Sequence, residues 1–231
     1  MPITPALLIW ADSMASALPP VDAALLTLGD RCYTVAMADG GGKPAGNVLR
    51  RVERLDRKRL MITIASRFNG GPLLTSRIEV ALPSLRPIRT IDLSDGRPDL
   101  SVRYGANAAK GVVTGDDGTT QAAKTPLPGP VWDEETIEFV VATLPLAEDA
   151  YFEIPIFHFG RSPAVRRVEV LRSISVEHPG RGPVDAWEVA SSTASDMTVT
   201  FQIAKVDREL LGITAGGVRS YLGGDCSGLL N

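Results

Sequence analysis

Cysteine and histidine, on which many metal sites and nucleophilic mechanisms depend, are nearly absent from this chain of 231 residues. The two cysteines, Cys32 and Cys226, lie far apart and lack the close pairing of a zinc ribbon or of a small disulfide framework. We therefore expect both thiols to be reduced and structural. With only His158 and His178 beside them, the sequence predicts no metal site.

Nucleotide-binding and nucleophile motifs are also missing. Gly40-Gly41-Gly42-Lys43 lacks phosphate-loop spacing, and Pro44 after the lysine prevents a helix from starting there. Gly224-Asp225-Cys226-Ser227-Gly228 has the outline of a nucleophile elbow, but such an elbow needs a following helix. We therefore expect no cofactor and no cysteine nucleophile.

Positive charge is not in excess, because 24 Lys and Arg face 27 Asp and Glu for a net charge of -3. Nucleic acids and anionic lipid surfaces are bound by clustered Lys and Arg, so the composition predicts neither partner. The apolar run Pro5–Trp10 is too short to cross a bilayer, no basic residue precedes it, and Asp12 interrupts it. We expect no membrane insertion and a cytoplasmic protein, with the periplasm as the alternative.

The first 30 residues have helical features. Thr4 is a predicted N-cap with Pro5 at the first helical position, and a second short helix is predicted from Val21 to Leu28, ended by Gly29. The apolar content of this N-terminal segment makes it a candidate docking surface in a homodimer or a larger assembly.

From Arg31 onward the hydrophobic pattern alternates, with Gly, Pro, Asn and Asp between the runs. Turns such as Asn69-Gly70-Gly71 and Asp95-Gly96 predict an antiparallel meander of neighbouring strands. Residues 105–130 are polar and rich in Ala, Gly, Thr and Pro, so we interpret them as a mobile loop or lid.

A helix is predicted from Asp133, its N-cap, to Pro145, followed by four more strands and two shorter pieces. Its apolar residues recur at i, i+3, i+4 and i+7: Ile137, Val140, Val141 and Leu144. About ten strands are too many for a flat sheet. The sequence therefore predicts a mainly β domain over residues 31–223, in which one curved antiparallel sheet forms a half-barrel or barrel around a cavity and packs against one or two helices. Residues 224–231 are a predicted C-terminal tail.

The second half carries a set of specific motifs: Leu144-Pro145-Leu146, Tyr151 with Ile154-Pro155, Asp185-Ala186-Trp187-Glu188-Val189, and Asp207-Arg208-Glu209-Leu210-Leu211. Over roughly residues 131–223 the chain resembles bacterial proteins of unknown function related to the periplasmic lipoprotein carriers, called LolA-like. The resemblance implies a curved sheet with helices in its concave side and an apolar cavity, which in the carriers receives acyl chains. It also implies similarity in architecture to a cofactor-free enzyme of violacein biosynthesis.

Candidate site residues are the polar side chains on otherwise apolar strand faces, since alternate residues of a strand share a face. Arg172 is the single charge in the row from Val168 to Val176, His158 ends the row from Phe152, Tyr104 closes the row from Leu100, and Lys205 ends the row from Met197. Each has a structural alternative: Arg172 pairs with a core carboxylate, His158 is a satisfied core histidine, and Tyr104 and Lys205 keep their polar tips in water.

These residues predict a cofactor-independent lyase, dehydratase or isomerase that acts on a hydrophobic, aromatic small molecule held in the cavity. His158 is the predicted general acid or base, Arg172 stabilises a developing oxyanion or a carboxylate, and Tyr104 donates a hydrogen bond. The residues predicted to contact the substrate are Lys205, Trp187, Phe201 and Trp132. The alternative is a non-catalytic carrier of a lipid or other hydrophobic ligand, with a dry apolar tunnel and an internally paired Arg172.

Overall fold

One sheet of fifteen strands dominates the molecule. The computed structural model describes residues 18–37, 43–115, 117–194 and 197–229. The first eight strands are β1 (Gly29–Met37), β2 (Pro44–Arg54), β3 (Arg59–Phe68), β4 (Leu74–Ala81), β5 (Arg86–Ser94), β6 (Arg97–Tyr104), β7 (Ala108–Thr114) and β8 (Thr120–Pro126). The other seven are β9 (Trp132–Asp133), β10 (Tyr151–Phe157), β11 (Ala164–His178), β12 (Gly182–Ser192), β13 (Val199–Ala204), β14 (Leu210–Ala215) and β15 (Val218–Leu222).

Two meanders, antiparallel except for the parallel pair of β9 with β10, are joined in the middle of this sheet. The strand order runs from β8 back to β1, continues to β15, and then runs back to β9. The first and last strands pair antiparallel, with Thr34 opposite Tyr221. β8 and β9 are the two edges, and in the described residues they are not hydrogen-bonded to each other, so the sheet is curved but unclosed. The predicted mainly β fold with one large curved sheet is confirmed.

A helical segment between β9 and β10 packs against the concave side. It comprises a 3-10 turn, Glu134–Thr136, and the helix α1, Ile137–Ala142, with the Asp133 side chain accepting a hydrogen bond from the Glu135 backbone amide as the predicted N-cap. Val140, Val141 and Leu144 are fully buried in the main hydrophobic cluster, as the helical spacing predicts. None of the described helices is long and apolar enough to cross a bilayer.

The concave side is filled with side chains from both meanders. Ile62 and Ile78 from the first meander and Val189 and Phe201 from the second belong to the same cluster as α1. A pocket between α1 and β1–β2 has a volume of about 40 Å³. That space is large enough for a water molecule but too small for the predicted ligand.

Residues 105–130 were predicted to form a loop, and this was wrong, because they contain β7 and β8. The two strands pair with Lys110 opposite Lys124, and the backbone amide of Gly115 donates to Thr119 at the hairpin tip over 2.8 Å. The segment is polar because nearly all of β8 faces solvent at a sheet edge. Gly111 on β7 has no side chain because a Cβ there would lie 2.6 Å from the Phe159 ring.

The N-terminal segment is described only from residue 18, so the predicted helix at Thr4 lies outside the described residues. The predicted helix from Val21 to Leu28 is wrong except for one 3-10 turn, Ala23–Leu25, capped by Asp22. Leu26 is extended, and the Asp22 amide donates to Thr143 at the end of α1, so the chain is held against the helix and turns into β1. A homodimer stays a prediction.

Cys32 and Cys226 form a disulfide, so the expectation of two reduced thiols was wrong. Their Cα atoms are 5.7 Å apart although the residues are separated by 194 positions. The pairing of β1 with β15 brings them together, because the Gly223 amide donates to the Cys32 carbonyl over 2.8 Å. Sequence spacing alone does not reveal this proximity.

The predicted C-terminal tail is docked on the sheet over its described part. After the disulfide, a 3-10 turn at Ser227–Leu229 places Leu229 in a small cluster with Leu49 and Ala65. These two residues alternate with the concave-facing residues of β2 and β3, so the C-terminal segment covers part of the outer, convex face.

Candidate functional site

Arg172 lies on the outer face of β11, away from the other predicted catalytic residues. Its guanidinium donates to Glu188 over 2.7 Å, and its side chain is 69% exposed. A β-bulge causes this placement, because the register shifts between Val170 and Arg172 and leaves Leu171 as the extra residue. Val170 therefore faces the core, whereas Arg172 faces solvent. The row from Val168 to Val176, which was predicted to lie on one face, therefore changes face after Val170.

Tyr104 and Thr90 converge on one buried carboxylate, Asp133. The Tyr104 hydroxyl donates to Asp133 Oδ2 over 2.5 Å, and the Thr90 hydroxyl donates to the same oxygen over 2.6 Å. Burial and the negative charge of Asp133 raise the pKa of Tyr104 above its ordinary range. Asp133 is 2% exposed and is held by β9 at the edge of the sheet, so these bonds attach that edge to β5 and β6.

His158 lies beside this carboxylate cluster, just after β10. The neighbouring Phe157 ring packs edge-on against Tyr104, with centroids 6.1 Å apart. Burial raises the pKa of Asp92, with Asp133 adding to the shift and His158 opposing it. The structure therefore brings both His158 and Tyr104 into the neighbourhood of Asp92, and it does not bring Arg172 there.

Glu135 is the acid that the sequence reasoning missed. Desolvation by the surrounding protein raises its pKa to about 7, and the charges of Asp133 and Asp92 add to the shift, although the residue as a whole is exposed to solvent. A carboxyl with a pKa near neutrality is able to exchange protons at physiological pH. The sequence signal was the run Asp133-Glu134-Glu135, which we had interpreted only as the start of a helix.

Two basic residues hold the acidic helical segment to the sheet. Arg166 on β11 donates to Glu134 over 2.9 Å, and Arg50 on β2 forms a buried ion pair with Glu138. The segment that carries Glu135 is therefore fixed from both meanders.

The predicted substrate contacts fall into two groups. Trp132 and Phe201 are fully buried, and the Trp132 indole donates to the Ser84 carbonyl over 3.0 Å, so both are core residues. Lys205 and Trp187 are brought together, with the ammonium 3.9 Å from the indole centroid. Lys205 also donates to the Ser173 hydroxyl over 2.6 Å, so its charge is satisfied locally.

The motif Asp207-Arg208-Glu209 has a structural role in the present fold. Glu209 is buried, pairs with Arg31 and Arg181, and lies 3.1 Å from His178 Nε2. This network joins β1 to the turns that follow β11 and β13. Within the described residues, no group of three or more His, Cys, Asp or Glu is arranged to hold a metal ion.

A groove of about 610 Å³ lies on the outer face of β2–β5, on the opposite side of the sheet from α1. Its floor contains Thr63 and Ala65, which are nearly inaccessible to solvent, and Thr75 beside them. Apolar side chains contribute to its walls: Met61, Leu73, Leu93 and Leu229. The lining of the groove therefore combines polar threonine side chains with apolar walls. We call it the outer groove.

Three arginines line the outer groove: Arg51, Arg67 and Arg77. Arg51 is already bound to Asp30 through two hydrogen bonds of 2.6 and 2.7 Å, and its hydrogen bonds are the first cause of the lowered pKa of Asp30. Within the described residues, Arg67 and Arg77 form no ion pair, and both are exposed. Asp95, one of two carboxylates at the groove, accepts the Leu73 amide over 2.8 Å.

The disulfide helps to build this groove. Cys226 packs against the cluster of Leu49, Ala65 and Leu229, and Leu229 is 7% exposed. The bond to Cys32 fixes the C-terminal segment over the sheet and so holds Leu229 as one wall. The sequence reasoning found neither the wall nor the groove, because both depend on residues from distant parts of the chain.

The chain belongs to the DUF3108 family, described as proteins of unknown function, whose family model matches residues 32–215. No curated protein matches it. One solved structure, described as a "putative exported protein with YmcC-like fold" from Bacteroides fragilis NCTC 9343, is similar with a TM-score of 0.30 and 10% identity, covering 89% of this chain and 96% of the other.

Proposed function

We propose that this protein is a non-catalytic binding protein that holds a small amphipathic anion in the outer groove. The observation that carries the proposal is the combination of Arg67 and Arg77, neither of them in an ion pair with a described residue, with apolar walls in one groove. Its volume of about 610 Å³ lies within the range of roughly 300–1,000 Å³ that small-molecule sites have. Guanidinium groups bind carboxylates and phosphates through paired hydrogen bonds.

The resemblance to LolA-like carriers supports binding of a ligand with an apolar part. The location differs from what that resemblance implies, because the core and α1 occupy the concave side where the carriers hold acyl chains. A ligand that lies in the outer groove places its apolar part against Met61, Leu73 and Leu229 and its anionic group near the arginines.

We also propose that the protein works in an oxidising compartment such as the periplasm. The Cys32–Cys226 disulfide supports this, because disulfides persist in oxidising compartments and are rare in the cytosol. The proposal replaces the cytoplasmic location expected from the sequence. Mass measurement of protein recovered from its native host, with and without prior alkylation, tests whether the two cysteines are bonded there.

Titration with alkyl phosphates and alkyl carboxylates of graded chain length, followed by calorimetry, tests the binding proposal. We expect affinity to rise with chain length, and we expect Arg67→Ala/Arg77→Ala to weaken binding by about tenfold or more, since charge-assisted hydrogen bonds are lost. Arg172→Ala removes an exposed arginine outside the groove and is the matched control. Binding that the groove variant leaves unchanged would overturn the proposal.

A second candidate function is acid/base catalysis on a hydrophobic, aromatic small molecule, as a lyase, dehydratase or isomerase. The observation that favours it is Glu135, whose pKa is raised to about 7, beside the hydrogen-bonded pair Tyr104 and Asp133, with Asp92 close enough to influence its pKa and to be influenced by His158. In this version Glu135 and His158 exchange protons and Arg172 takes no part. Incubation with an extract of aromatic metabolites separates the two functions by mass spectrometry: turnover beyond one equivalent that Glu135→Gln abolishes supports catalysis, and stoichiometric retention supports binding.

A further inference from the structure

Four cations lie directly opposite one another on four adjacent strands. Arg89 on β5 faces Arg103 on β6, Arg103 faces Lys110 on β7, and Lys110 faces Lys124 on β8. Neighbouring strands are about 4.8 Å apart, so the row extends over about 14 Å. Val102 and Ala109, which alternate with members of the row, are buried, so the row is on the outer face. We call these four residues the cation row.

Within the protein, the positive charge of this row is not neutralised. Like charges directly opposite one another destabilise a sheet. In the described parts of the chain no carboxylate forms an ion pair with any of the four residues, and Glu79, which faces Arg89, is bound by Arg59 over 2.6 Å. Arg89 Nε is buried and has no hydrogen-bond partner there. Because the four like charges destabilise the sheet and no carboxylate of the described chain neutralises them, the row is suited to bind an external anion.

The surface around the row is open and partly apolar. A shallow depression is formed by Ser101, Arg103, Lys110, Val112, Ala122 and Lys124. Val112 is 41% exposed between Lys110 and the edge strand, and none of the described residues that line the depression is aromatic. Proteins that bind single-stranded nucleic acid stack its bases on aromatic side chains, whereas an anionic lipid surface requires only cations and exposed apolar groups.

A group of acidic residues lies on the other side of the sheet. Glu134, Glu135 and Glu138 belong to the helical segment that packs on the concave side, and Asp133 caps it, although Arg166 and Arg50 pair with two of these carboxylates. The net charge of -3 is therefore distributed unevenly, and the outer face of β5–β8 is basic although the chain is acidic overall. Such a distribution orients the molecule in front of a negative surface.

We propose that the cation row docks this protein on an anionic lipid surface, with β5–β8 lying flat against the headgroups. The surface is adjacent to the outer groove on the same face of the sheet, since β5 contributes to both. The docking proposal does not depend on the groove, because it rests on the register of the four cations and on the exposure of Arg103, Lys110 and Lys124.

Co-sedimentation with vesicles tests the proposal. We expect the wild-type protein to bind vesicles of phosphatidylcholine mixed with phosphatidylglycerol, to bind pure phosphatidylcholine vesicles poorly, and to be released by salt. Lys110→Glu/Lys124→Glu is expected to weaken binding by about tenfold or more, since each reversal replaces attraction with repulsion. Lys58→Glu/Arg219→Glu changes the net charge equally at exposed positions outside the row, and it is expected to retain binding.

Three results would overturn docking: equal binding to neutral and anionic vesicles, full binding by the row variant, or equal loss in both variants. Preferential binding of a single-stranded oligonucleotide or of inorganic phosphate through the same row would overturn it in favour of those ligands. Arg67→Ala/Arg77→Ala is expected to keep vesicle binding while losing the alkyl anion, so the two proposals fail separately. Far-UV circular dichroism checks that each variant is folded.

Discussion

Arg50 and Glu138 form a buried ion pair that joins β2 to α1 across the concave side. Arg50 Nη2 donates to Glu138 Oε2 over 3.3 Å, and the guanidinium lies 4.5 Å from the centroid of the Tyr33 ring. Burial acts to lower the pKa of Arg50, but the charge and hydrogen bonds of Glu138 outweigh it, so that the pKa is raised. Both charges are therefore retained in the core.

Removing one partner of this pair is expected to destabilise the fold strongly. Glu138→Gln leaves a buried guanidinium without its counter-charge, which costs about 3–5 kcal/mol in comparable pairs. The free energy of unfolding from urea denaturation measures this loss. Arg50→Met/Glu138→Leu removes both charges and is expected to regain most of the stability; a single variant as stable as the wild type would contradict the structure.

Breaking the disulfide is expected to lower the stability of the fold and also to weaken ligand binding in the outer groove. A disulfide that closes a loop of this length contributes about 2–5 kcal/mol, chiefly by restricting the unfolded chain. In Cys32→Ser/Cys226→Ser, Leu229 also loses its anchor, so binding of the alkyl anion is expected to fall. Thermal unfolding and calorimetry measure the two effects, and Leu229→Ala with the disulfide intact separates the wall from the covalent bond.

Stability is expected to depend on pH through Glu135. Its folded-state pKa of about 7 is above the ordinary value of 4.5, so the folded state favours the protonated form. The corresponding stability is fully present below about pH 4.5 and is lost as the pH rises through 7. Glu135→Gln is expected to flatten the stability profile between these limits, as measured by urea denaturation at several pH values. An unchanged slope would show that Glu135 titrates normally.

Deleting Leu171 is expected to be tolerated by β11. The deletion removes the bulge, so Arg172 follows Val170 directly, and ordinary alternation still places it on the outer face opposite Glu188 with the pairing to β12 unchanged. Leu171→Ala keeps the bulge and alters a side chain that is 45% exposed, so the melting temperatures of both variants are expected to remain close to that of the wild type. A large loss of stability in the deletion variant alone would contradict the assignment of Leu171 as the extra residue.

The mainly β fold and the helix were predictable because both rest on local periodicity. The apolar spacing of Ile137, Val140, Val141 and Leu144 locates α1, and alternation locates most strands. Alternation failed at Arg172, where one extra residue changes the face of everything after it. It also failed for residues 105–130, because β8 is exposed on both faces and the buried positions of β7 are the small residues Ala109 and Gly111, which leave no row of large apolar side chains.

The sites required information that no local pattern contains. Cys32 meets Cys226 only because β1 pairs with β15, and the cation row exists only in a register that spans four strands. The prediction that the protein binds no anionic surface was drawn from the net charge. A net charge does not report where the charges lie, so it did not reveal the cation row. Asp133 is the intermediate case: its capping role was predicted, whereas its bonds to Tyr104 and Thr90 join distant strands.

The pairing of β1 with β15 bears on how quickly this chain folds. All the other antiparallel pairs join strands that are consecutive in sequence, whereas this pair joins strands from opposite ends of the described chain. Non-local pairs raise the contact order and slow folding. A circular permutant opened between β8 and β9, with β15 linked to β1, would keep every ladder and make each antiparallel pair consecutive. We expect such a permutant to fold to the same sheet at a higher rate.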